Sequence, residues 1–137
     1  MSADRRVINP WSWQDQFNFV QANEINNAQR QLILAGQTAI DEEGNAVHAG
    51  DMRAQINQAL TNIETVLANA GFELSDIVRL NYYTTDVDSF FEEFWGGDDP
   101  LVSRLAEAGC RPASTLLGVA RLAFPELLVE IEATAIA

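Results

Sequence analysis

No lysine occurs anywhere in this 137-residue chain, and all eight basic residues are arginines. That absence removes any mechanism that needs an enzyme lysine as a Schiff-base amine, and it removes the phosphate-binding lysine of a P-loop. Cysteine and histidine occur once each, as Cys110 and His48. A single cysteine cannot close an intrachain disulfide, and a reducing cytoplasm is the simplest location for such a chain. One histidine and one cysteine give no cluster of the structural-zinc type, so no metal and no other cofactor is expected. His48, in Val-His-Ala-Gly-Asp, reads as a solvated loop residue. Long apolar runs are also missing. The longest, around Leu32 to Gly36, is far short of the roughly 20 residues that cross a bilayer. The opening Met-Ser-Ala-Asp-Arg-Arg has charge without an apolar stretch behind it, unlike a secretory signal.

What is present is acid. Twenty Asp and Glu residues give a formal charge of −12, which repels phosphate backbones and makes nucleic acid an unlikely partner. The apolar share of 47% is that of an ordinary globular core, and the length suits one domain covering residues 1–137. Residues 1–16, with Ile8-Asn-Pro-Trp-Ser-Trp13, read as an irregular arm packed on that domain.

Short strands are expected over residues 17–22 and 31–36. Asp51 caps a helix whose Met52, Ile56, Ala59, Leu60, Ile63 and Leu67 recur on one face, and Gly71 ends it. Residues 77–84 alternate, with Val78, Leu80 and Tyr82 on one side and Arg79, Asn81 and Tyr83 on the other. Ser89 and Glu92 form a capping box for a second helix, interrupted at Gly96-Gly-Asp-Asp-Pro100 and continued to Gly109. Asp98 and Asp99 read as capping residues for its continuation. Two strands, over 113–122 and 127–136, close the chain. This order predicts an α+β layer, two helices on one face of a mixed sheet.

In the last strand, Val129, Ile131 and Ala133 face the helices. Glu130 and Glu132 then share the opposite face, about 7 Å apart. That face also carries Leu128 and Ile136, and it is either wet or meets a cation such as Arg111 or Arg121.

Several segments together form a known pattern: Ala35-Gly-Gln37, Asp51-Met-Arg-Ala-Gln55, the Asn62 to Gly71 helix end, Tyr83-Thr-Thr-Asp86, Arg111-Pro-Ala-Ser114, Val119-Ala-Arg-Leu122 and Val129-Glu-Ile-Glu-Ala133. The series resembles the RidA or YjgF family, often labelled L-PSP endoribonuclease. The resemblance implies a chorismate-mutase-like fold in a homotrimer, with the sheets forming a central barrel and small-molecule clefts between subunits. It implies hydrolysis of enamines and imines, in which an arginine clamps the substrate carboxylate and a glutamate handles water.

Carried onto this chain, the resemblance places Glu130 on the catalytic glutamate and Gly36 and Gln37 on the glycine turn. Ser114 stands where the arginine would be, Phe19 replaces a tyrosine, Phe94 a polar residue and Ala35 a serine. Phe19, Phe94 and Trp95 then suggest a more apolar ligand. Arg111 is the candidate replacement for the missing clamp. Cys110 beside it reads as a small packed thiol. The expected protein is a divergent, deaminase-like hydrolase without ordinary 2-imino-acid activity. A non-catalytic binding or chaperone-like trimer is the alternative, and a ribonuclease ranks last.

Overall fold

The computed structural model describes residues 3–137. Its largest element is α1, Met52–Ala70. Asp51 sits in an extended conformation and its carboxylate accepts from the Ala54 amide at 3.0 Å. Gly71, at φ 78°, takes the left-handed turn that ends the helix. The buried stripe is the one that the periodicity picks out, from Met52 through Ile63 to Leu67. Each of these larger side chains, fully buried, stabilises the fold by about 1.5–3 kcal/mol.

The main sheet contains β3 (Gln31–Ile33), β4 (Ile77–Thr84), β5 (Ala113–Gly118) and β6 (Val129–Ile136), in the order β3-β6-β4-β5. β6 is antiparallel to both of its neighbours, and β4 and β5 are parallel. The parallel pair needs a crossover, which α2 (Val87–Phe94) and α3 (Val102–Glu107) provide. The cap of α2 differs from the Ser89–Glu92 expectation. Asp86 accepts from the Ser89 amide at 3.0 Å, so the helix begins three residues earlier and takes in Val87. The Gly-Gly-Asp-Asp-Pro segment does split the two helices, with Gly97 at φ 72°. Asp99 caps nothing: it pairs with Arg53 at 3.0 Å, and the residue preceding α3, Leu101, makes no side-chain capping bond.

The sequence-predicted N-terminal region needs two corrections. The arm is not wholly irregular: β1 (Asp4–Ile8) pairs antiparallel with β2 (Ala22–Asn26) in a separate ribbon, while residues 1 and 2 lie outside the described part. The strand expected over 17–22 falls instead on β2. Its Ala-Asn-Glu-Ile-Asn sequence is mostly polar because the ribbon is open to solvent. Segment 17–20 is attached differently, through Val20 N–H to the Pro112 carbonyl (3.0 Å) and Asn18 Nδ2 to the Cys110 carbonyl (2.8 Å).

One buried amide sets where β6 begins. Gln55 of α1 is fully buried, and its Nε2 donates to the His48 and Glu126 carbonyls while its Oε1 accepts from the Leu128 amide at 2.8 Å. Thr84 Oγ1 donates to the Leu128 carbonyl at 2.8 Å from the other side. Leu128 is thus fixed from both flanks, and Glu130 follows two residues later. Ile136, expected on the open face, is buried.

Candidate functional site

The alternation of β6 sends Val129, Ile131, Ala133 and Ala135 into the core, leaving Glu130, Glu132 and Thr134 half-buried on the far face. β4 adds Arg79, Asn81 and Tyr83 to that face, because Tyr83 lies opposite Glu130, Asn81 opposite Glu132 and Arg79 opposite Thr134. β5 adds Thr115, whose hydroxyl accepts from Arg79 Nη2 at 3.0 Å. The result is a polar sheet face with two carboxylates at its centre.

The two carboxylates have different surroundings. Glu132 Oε1 accepts from Tyr83 Oη at 2.6 Å and from Asn81 Nδ2 at 3.1 Å. These bonds, that of Tyr83 first, hold the Glu132 carboxyl below the usual carboxylate range, and the same bond pushes the Tyr83 hydroxyl up. Among the described residues no side-chain donor reaches Glu130. Its carboxylate lies instead against Gly36, in the volume that a Cβ at that position would need. A Cβ at position 36 would push the Glu130 carboxylate out of this place. Gln37 holds this close approach by exchanging backbone bonds with Ile131, at 2.7 and 2.9 Å. Gly36 and Gln37 also line a groove of about 610 Å³ between α1 and the loop of residues 36–42 that precedes it, with Thr38, Ile40 and Asn62.

The structure thus brings Glu130, Gly36 and Gln37 together, and it separates the other sequence-predicted residues from them. Ser114 pairs with Leu80, which puts its side chain on the helix side of the sheet, away from Glu130. Arg111 is exposed beyond the start of β5, its carbonyl accepting from Arg5 and from Asn23. Among the described residues Arg121 donates only to the Leu122 carbonyl, and neither arginine pairs with the β6 carboxylates. Phe19 is half-buried edge-on to Trp13, with ring centroids 5.7 Å apart. Phe94 is a correction: it is fully buried, 5.0 Å from the Tyr82 ring and 4.8 Å from the Trp95 ring, and belongs to the core. It lines no cleft.

Burial pushes the Cys110 thiol up to about 12, which fits the expected packed and unreactive thiol. His48 is exposed in the loop before α1. Among the described residues no three His, Cys, Asp or Glu side chains gather as a metal site would require, and no helix is long and apolar enough to cross a membrane.

Sequence reasoning missed Asn81, Tyr83 and Arg79 as site residues. The signal was their two-residue alternation on the polar side of β4. What it lacked was the register that sets them beside Glu130 and Glu132.

Comparison with known proteins gives a consistent picture. The profile of the family described as Endoribonuclease L-PSP matches residues 14–137. A RutC family protein of Pyrococcus horikoshii is 31% identical over 110 residues, covering 76% of this chain and 77% of that protein. A 2-iminobutanoate/2-iminopropanoate deaminase of Salmonella typhimurium is 30% identical over 111 residues, covering 77% and 78%. The crystal structure of a Rid-family protein of unknown function from Yersinia pestis superposes with a TM-score of 0.76 at 36% identity, over 97% of this chain and 98% of that one.

Proposed function

Because the chain belongs to the RidA/YjgF family, which also carries the name Endoribonuclease L-PSP, we propose that it hydrolyses a small imine or enamine lacking the α-carboxylate of 2-imino acids. The observation that carries this reading is Glu130, a carboxylate on a half-open face with no side-chain donor among the described residues, held against Gly36. Such a group is free to accept a proton from water. As the water oxygen bonds to the carbon of the protonated imine, Glu130 takes one proton from the water and the C=N electron pair moves to nitrogen, giving a neutral carbinolamine. Glu130 then returns that proton to the nitrogen, the C–N bond breaks, and the hydroxyl proton passes to the departing ammonia, leaving the carbonyl compound and ammonium.

Ser114 supports the second half of the reading. A serine hydroxyl cannot supply the two parallel N–H donors with which a guanidinium grips a carboxylate. Within one chain, moreover, Ser114 and Glu130 lie on opposite faces of the sheet. A homotrimer, with each cleft completed by a neighbouring subunit, is part of the proposal, as is a single domain over 1–137.

The test is ammonia release from freshly generated 2-aminoacrylate and from imines without a carboxylate. The wild type is expected to act on the second group, and Glu130→Gln to lose at least about 100-fold in rate, within the range for a general base. Ser114→Arg is expected to add activity on 2-aminoacrylate. No turnover of either group by the wild type would overturn the reading in favour of a binding protein, and unchanged turnover in Glu130→Gln would overturn the role of Glu130.

A further inference from the structure

The contact between Gly36 and Glu130 joins two segments that are far apart in the chain, and α1 holds both of them. Gln55 and Asn62 stand two helical turns apart, so they lie on one side of α1, about 10 Å from each other along its axis. Gln55 fixes the start of β6 through the Glu126 carbonyl and the Leu128 amide. Asn62 takes the other segment. Its Nδ2 donates to the Thr38 carbonyl at 3.0 Å and to the Ile40 carbonyl at 2.9 Å. Its Oδ1 accepts from Gln58 Nε2, one turn earlier in the helix, at 2.9 Å. A primary amide has two N–H donors and one carbonyl oxygen, so this arrangement spends both donors on one turn of the loop and leaves the amide a single orientation.

The turn held in this way begins two residues after Gly36. On its other side Gln37 is tied to Ile131 by the paired backbone bonds, and Glu130 precedes Ile131 in the strand. Asn62 and Ile40 border the open groove, so water can replace the side chain as a donor there. Water does not supply a fixed position. We propose, on the catalytic reading above, that Asn62, oriented by Gln58, is a positioning residue of the candidate site: it holds the turn at residues 38–40 and thereby keeps Gly36 closed against the Glu130 carboxylate. With the turn released, Gly36 withdraws, the Glu130 side chain gains rotamers, and its carboxylate is aimed at the attacking water for a smaller share of the time. Substrate contacts that do not involve Glu130 persist, so kcat falls more than KM rises.

Native hydrogen exchange reads this hold without turnover. In Asn62→Ala, protection of the Gln37 and Ile131 amides is expected to fall at least about tenfold, the scale of one lost hydrogen bond. The Cys110 amide, bonded to the Leu105 carbonyl elsewhere in the core, is expected to lose clearly less. On an imine without a carboxylate, Asn62→Ala is expected to lower kcat about tenfold or more, and Asn62→Asp, which keeps the shape but at neutral pH has no donor, to do the same. Gln58→Ala is expected to give a smaller loss of the same kind. In the Glu130→Gln background, Asn62→Ala is expected to cost no further activity, because a residue acting through that carboxylate has nothing left to position. A loop anchor with no role at the site would cost the same factor in both backgrounds.

Unchanged protection at Gln37 and Ile131, an equal loss at Cys110, or the same fall in kcat with and without the Glu130 carboxylate would each overturn the assignment. If the wild type hydrolyses imines while Asn62→Ala keeps both kcat and protection, Asn62 fails as a positioning residue and the catalytic reading stands. If protection falls as expected and the wild type hydrolyses no imine, the catalytic reading fails and the hold of Asn62 on the Gly36–Glu130 contact stands.

Discussion

Gly36 and Glu130 occupy what would otherwise be the same volume. In Gly36→Ala the new methyl group must displace the carboxylate, because the backbone there is held by the Gln37–Ile131 bonds. Imine hydrolysis is expected to fall about as far as in Glu130→Gln, with Tm lowered only modestly, since the side chain that moves is half-exposed. Parallel activity and thermal-melt measurements check this. Cys110 makes a contrasting single-residue case. With its thiol held near 12 against an ordinary 9.0, native alkylation at pH 8 is expected to run about 1,000-fold slower than in urea, where the thiolate forms normally. A mass shift on brief iodoacetamide exposure of the folded protein would contradict that.

At the scale of elements, the helix α1 is legible from Asp51 to Gly71 because its caps and its apolar stripe are local features that agree. β4 and β6 are legible for the same reason, through their alternation. The ribbon of β1 and β2 is not, since its strands lie open to solvent and show no apolar period, while the apolar 17–20 segment looks like a strand and packs as a loop. Phe94 is not legible as a core residue, because an aromatic at helical spacing has the same sequence signature in a cleft and in a core. The Glu130–Gly36 contact was partly legible from the family resemblance, and the Tyr83–Glu132 bond depends on a register that no local pattern contains. Gln55 is likewise invisible as a positioning residue. Gln55→Ala leaves the Glu126 carbonyl and the Leu128 amide without partners, while the His48 carbonyl keeps the Asp51 amide, so a loss of about 2 kcal/mol or more is expected in urea unfolding.

For the whole molecule, charge sets the responses to solution conditions. Glu132 is depressed in the folded state, so its contribution to stability is present above its ordinary value of 4.5 and is lost as pH falls below it. Tyr83 is raised, so its contribution holds below 10.0 and fades as pH climbs above it. The difference in Tm between wild type and Tyr83→Phe is therefore expected to be greatest between these limits and to shrink on both sides. A flat difference from pH 3 to 11 would contradict the assigned bond. With a charge of −12, added salt is expected to raise Tm through screening of self-repulsion, and any RNA-degrading activity is expected to separate from the protein on repurification.

The strand order has a consequence for how the chain is made. β6 lies between β3 and β4, yet it is synthesised after both. Until it emerges from the ribosome, β3 has no partner in the main sheet and one edge of β4 stands open, while α1 has no β6 to cover. A nascent chain halted before residue 129 is therefore expected to be protease-sensitive almost throughout. The strand that carries the chemistry of the site is also the one whose arrival completes the fold.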